Sequence, residues 1–88
     1  MAQRRHAPAL QATLAGVCDA LRAGASDFAA LELAARERLA RAGFRPDYVE
    51  VRRAADLGKP EAGARPEHLI VLGAAWLGRA RLIDNARV

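Results

Sequence analysis

The chain has 88 residues, which limits it to one modest hydrophobic core and excludes a deep cleft between two domains. Hydrophobic residues make up 52%, but much of that is alanine, which adds little apolar area and favours helix. The formal net charge of +4 raises the question of an anionic partner, yet Arg22, Arg36, Arg41, Arg52 and Arg79 lie among Asp and Glu and form no long basic run.

From about Ala7 to Arg22, Leu10, Leu14, Val17 and Leu21 recur at helical spacing with Cys18 on the same stripe. Pro8 is tolerated there only in the first turn, and Arg22 followed by Gly24 marks the end. Ser26 and Asp27 offer N-cap oxygens to a second helix, whose apolar face is Phe28, Leu31, Ala35, Leu39 and Ala42, with Gly43 as its C-cap. Glu32 with Arg36 and Glu37 with Arg41 are spaced i, i+4 in the favourable order. The short Gly-containing loop between the helices predicts antiparallel packing.

Pro46 excludes further helix, and Asp47 to Arg52 alternates with period two. Val49 and Val51 should face the helices, with Tyr48, Glu50 and Arg52 on the opposite side. Arg53 to Glu67 contains Gly58, Pro60, Gly63 and Pro66 and reads as a loop with at most one helical turn. His68 to Leu77 is apolar on both alternating sets, as in a central strand covered on two sides, and Gly73 suggests a bulge or a close backbone approach. Trp76 falls inside this run and reads as core. Gly78-Arg79 then makes a tight hairpin into Arg81 to Asn85. The predicted fold is α+β: two antiparallel helices packed on a three-stranded antiparallel sheet, in the order helix, helix, strand, strand, strand, within a single domain of residues 1–88.

The chain offers few working parts for chemistry. His6, His68 and Cys18 are far apart with no CxxC or HxxxH spacing, so no metal ligand set is assigned. Ser26 and Cys18 are better explained as cap and core residue than as nucleophiles, and the glycines follow no phosphate-loop pattern. No catalytic and no cofactor-binding residue is therefore assigned. Four polar residues exceed what packing requires. Glu50 and Arg52 share one strand face, where they either pair with each other or across the sheet on a solvated face or form a ligand site. Asp84 and Asn85 either end the last strand with Asx-type hydrogen bonds or fasten this domain to another. A lone Cys18 fits a reducing compartment, and the run Leu69 to Leu77 is too short to span a bilayer, so a cytoplasmic protein without a membrane partner is expected. The competing reading is a free-standing basic module for nucleic acid or another polyanion. Base readout, however, asks for a recognition helix or an aromatic platform, and Phe28, Phe44, Tyr48 and Trp76 are the aromatic residues available.

Asp47-Tyr48-Val49-Glu50-Val51-Arg52 resembles the DYVEVRD strand of the pantothenate synthetase family, and Ala74 to Asn85 resembles its closing AAxLGxTRLIDN segment. Gly43 to Pro46 also fits, and the two-helix lead-in extends the likeness over essentially the whole chain. Arg53 and Ala80 depart from the Asp and Thr common there. The resemblance implies a ligase that adenylates pantoate with ATP and Mg²⁺ and lets β-alanine displace AMP. It also implies that a Rossmann-like N-terminal domain with a HIGH-type motif carries the nucleotide site, and that an SSRN-like loop precedes the first helix, near Arg4 and Arg5. This chain would then be the C-terminal lid, inactive alone, with the N-terminal domain as its partner, pantoate, β-alanine and ATP as substrates of the whole, no nucleic acid, and a homodimer built mainly by the other domain. Glu50, Arg52, Asp84 and Asn85 are the expected interdomain contacts.

Overall fold

The computed structural model describes the backbone of residues 2–88 and the side chains of residues 8–88; Arg4, Arg5 and His6 fall outside the described side chains. Helix α1 spans Ala2–Arg22, helix α2 Phe28–Arg41, strand β1 Arg45–Arg53, strand β2 Leu69–Leu77 and strand β3 Ala80–Arg87, with a single 3₁₀ turn at Pro66–His68. The sheet is antiparallel in the order β1-β2-β3. The predicted architecture and element order are those observed.

Leu10, Leu14, Val17, Cys18 and Leu21 of α1 are buried together with Ala35 and Leu39 of α2 and with Val49, Val51, Leu69 and Val71 of the sheet. The 3.6-residue stripe of α1 thus meets the period-two row of inward strand residues, which is the ordinary way a helix layer closes on a sheet. The helices run antiparallel: Leu21 and Phe28 line one shared hollow, while Gly16 lies beside Arg38.

Helix α1 starts earlier than its hydrophobic stripe, so Pro8 stands inside it beyond the first turn. Proline has no N–H for the carbonyl four residues back. Among the described side chains, those that pack on the core run from Ala9 on, C-terminal to that missing bond, so the turns that are packed keep their hydrogen bonds. At the other end Gly24 turns to φ 103 and the Ala25 N–H reaches the Ala20 carbonyl at 3.0 Å. Positive φ is open to glycine without steric cost, and this geometry satisfies the carbonyls that the helix leaves free.

Helix α2 begins at Asp27, whose carboxylate accepts the Ala30 N–H at 3.1 Å, and Ala42 is its C-cap, with Gly43 following at φ 94. Ala42 is exposed and does not extend the apolar face as expected, because the helix ends one residue before it. Among the described ion pairs neither Glu32–Arg36 nor Glu37–Arg41 occurs. Glu32 instead accepts the backbone N–H of Val51 at 2.8 Å. A half-buried amide on the free edge of β1 needs an acceptor more than an exposed arginine needs a partner.

Candidate functional site

The sheet has two unlike faces. Val49, Val51, Leu69, Val71 and Ala75 point into the helices, as does Gly73, where an added Cβ would lie 2.8 Å from a Leu14 methyl. Gly73 is therefore a close approach, and the one irregularity in the β1–β2 register falls at Pro46/Tyr48, where Asp47 is the extra residue.

The outward face carries Tyr48, Glu50 and Arg52 from β1, Ile70, Leu72, Ala74 and Trp76 from β2, and alternate residues of β3. Register places Tyr48, Ala74 and Ile83 in one row, Glu50, Leu72 and Asn85 in the next, and Arg52, Ile70 and Arg87 in a third. Two expectations fail here. Strand β2 was read as covered on both sides, but among the described residues the helices pack on one side alone; Ile70, Leu72 and Trp76 on the other are half-buried, and Ile83 is 63% exposed. Trp76 was read as core; it stands on the outer face, with the Arg45 guanidinium carbon 5.6 Å from its ring centroid. Both expectations rested on an apolar run whose periodicity does not tell one covered face from two.

Of the predicted contact residues, the fold gathers Glu50, Arg52 and Asn85 on this face. Arg52 Nε donates to the Glu50 carboxylate at 2.8 Å, so these two pair with each other. A second ion pair crosses the central strand from edge to edge: Arg81 Nε and Nη2 donate to one Asp47 oxygen at 3.0 and 2.8 Å. The bulge at Asp47 carries its carboxylate to where Arg81 can reach it. Asp84 is separated from the group. It registers with Gly73 on the helix-facing side, and its carboxylate accepts the N–H of Asn85 at 2.8 Å. Neither residue ends the strand, which runs on to Arg87, because the β2 partners extend to Ile70.

The hairpin that joins these strands is as predicted, with Gly78 at φ 60 ahead of Arg79 and Leu77 opposite Ala80. A positive φ at the first of two loop residues alone is the type II′ pattern, whose twist matches the strands. Sequence reasoning missed Arg45, Asp47, Arg81 and Ile83 as members of the outward face. The alternation Arg81, Ile83, Asn85, Arg87 against Leu82 and Ala86 was a readable signal for β3; the bulge at Asp47 had none.

Two titratable groups elsewhere are shifted by their surroundings. Burial pushes the Cys18 thiol up, against a smaller opposing effect of Arg22, and its Sγ–H donates to the Ala86 carbonyl at 3.6 Å. The N–H of Gly58 and the Arg53 guanidinium hold the Asp56 carboxyl below its usual range. An open cleft of about 600 Å³ is lined by Arg53, Glu61 and His68, away from the outward sheet face. Among the described residues no group of three or more His, Cys, Asp or Glu could hold a metal ion. No helix among the described residues is long and apolar enough to cross a membrane.

Fold and face together define a small α+β module in which, among the described residues, one face of the sheet packs on the helices and the other has no helix layer. The family model for pantoate-beta-alanine ligase matches residues 1–87. The chain belongs to that family. A pantothenate synthetase of Thiobacillus denitrificans is 53% identical over 87 residues, which cover 99% of this chain and 30% of that protein. One of Alkalilimnicola ehrlichii is 55% identical over 84 residues, 94% of this chain and 29% of that protein. One of Halorhodospira halophila is 56% identical over 84 residues. The chain thus spans about 30% of the length of the curated relatives it matches.

Proposed function

We propose that this chain is the C-terminal lid domain of an AMP-forming ligase that condenses pantoate with β-alanine, working in the cytoplasm, and that it covers the pantoyl-adenylate while that intermediate awaits its amine. The observation that carries this reading is the match through residues 1–87 to proteins of which the same stretch makes up only about 30%. ATP and Mg²⁺ belong, in this reading, to the N-terminal Rossmann-like domain, where the family resemblance puts the nucleotide site. The lid supplies exclusion of water. An acyl-adenylate exposed to solvent hydrolyses, and a cover that closes before β-alanine attacks directs the acyl group to the amine.

The test is made in the full-length protein. With ATP, pantoate and β-alanine supplied, the intact enzyme should release one AMP per pantothenate. Glu50→Ala combined with Asn85→Ala, which removes two polar residues from one row of the outward face, should raise that ratio and lower the rate of pantothenate formation. An unchanged ratio together with an unchanged rate overturns the covering role of this face.

A further inference from the structure

We infer that the outward face of the sheet, centred on Trp76, Leu72 and Ile83, is the surface by which this domain seats on the remainder of the full-length chain. The inference rests on the reading above, in which the described residues are one part of a longer ligase, and it goes further by choosing one face of the domain and the chemistry of what meets it.

The first argument is the composition of β2. A strand apolar on both alternating sets presents an apolar row on each face of the sheet, whichever face the helices take. Helices cover one side, with Leu69 and Val71 at 1% and 0% exposure, and the side bearing Ile70, Leu72 and Trp76, all half-buried, has no helix layer among the described residues, only strand neighbours and Arg45. Ile83 at 63% exposure extends the same patch onto the edge strand. Contiguous exposed apolar surface with a polar rim is characteristic of interaction sites.

The second argument is charge. The cations of this face are Arg45, Arg52, Arg81 and Arg87. Glu50 pairs with Arg52 and Asp47 with Arg81, so the two carboxylates are already used. Arg45 lies over the Trp76 ring, and neither it nor Arg87 has a carboxylate among the described ion pairs. The matching surface is therefore apolar at its centre and carries carboxylates opposite these two corners.

The third argument is the occupant. Relatives that match over almost this whole chain are more than three times its length, so most of such a protein lies outside the described residues. The helix face is the more polar surface: α2 presents Glu37, Arg38 and Arg41 to solvent beside Leu33 at 50% exposure, with no apolar strand row behind them.

The face can be read directly by thiol accessibility in the full-length protein. Ile83→Cys and, separately, Glu37→Cys are alkylated with a small maleimide in the presence of ATP, Mg²⁺ and pantoate, and each rate is normalised to the same peptide in denaturant by mass spectrometry. Cys18 is buried and contributes little background. Position 83 should react at least tenfold more slowly than position 37. Equal rates at the two positions overturn the inference, and so does protection of position 83 that disappears on dilution together with dimer dissociation, which would make the occupant a second copy. Protection here alongside unaltered AMP release in the Glu50/Asn85 variant separates the two ideas: the face is then a docking surface and the covering role is wrong.

Discussion

Gly73 shows how a single hydrogen atom decides packing. An added Cβ would lie 2.8 Å from a Leu14 methyl, and Leu14 is fully buried, so it has no free space to swing into. Gly73→Ala should cost about 1–3 kcal/mol by overpacking, read as a shift in the urea midpoint of the 88-residue chain. Leu14→Ala in the same background should cost less than the sum of the two separate changes, because the cavity accepts the new methyl. Two titrating residues bound stability at the pH extremes. The Cys18 pKa is raised above 9.0 by burial, so the unfolded thiol ionises first. Stability should hold below about pH 9 and decline as pH rises toward the folded value, and Cys18→Ala should remove that alkaline decline. Asp56 has the opposite sign: its folded pKa is lowered from 3.8, so its contribution is present above that value and disappears as pH falls through the folded one. Asp56→Asn should flatten the acid limb of a thermal-midpoint profile.

At the scale of the element, α2 is held at its start by one carboxylate and ties down β1 with another. Asp27→Ala removes the acceptor for the Ala30 N–H and should cost about 1 kcal/mol. Glu32→Ala leaves the Val51 N–H without its acceptor and should cost about 1–3 kcal/mol, with Glu32→Gln closer to wild type because an amide oxygen still accepts. The spacing in α2 made Glu32 look like the partner of Arg36, and its actual partner lies 19 residues away on a strand. That contrast separates what is legible from what is not. The stripe Leu10, Leu14, Leu21, the alternation at Val49 and Val51, and Gly78-Arg79 are local patterns, and each became the element it announced. The position of Trp76 depends on which side of β2 the helices choose, and no local pattern carries that choice; the bulge at Asp47 had no local signal either, whereas the split of Asp84 from Asn85 follows from strand alternation alone.

At the scale of the whole molecule, the described residues form two layers with one face of the sheet free of helices, and two adjacent residues of β3 measure the difference between its faces. Leu82 registers with buried Ala75 and packs against the core, whereas Ile83 registers with Ala74 on the outward face and is 63% exposed. In the 88-residue chain, Leu82→Glu should cost about 2–4 kcal/mol, because a carboxylate enters an apolar site and the leucine's burial is lost. Ile83→Glu should change stability by no more than about 0.5 kcal/mol, since a surface side chain loses little and its backbone bonds to β2 are kept. The full-length protein should invert the ranking for function: an enzyme carrying Ile83→Glu should keep its fold by circular dichroism yet form pantothenate at least tenfold more slowly. A charge placed where an apolar centre must be desolvated opposes docking without touching the core. If Ile83→Glu instead unfolds the small chain as far as Leu82→Glu does, the outward face is part of the domain's own core, and its exposure here does not describe how the sheet is used.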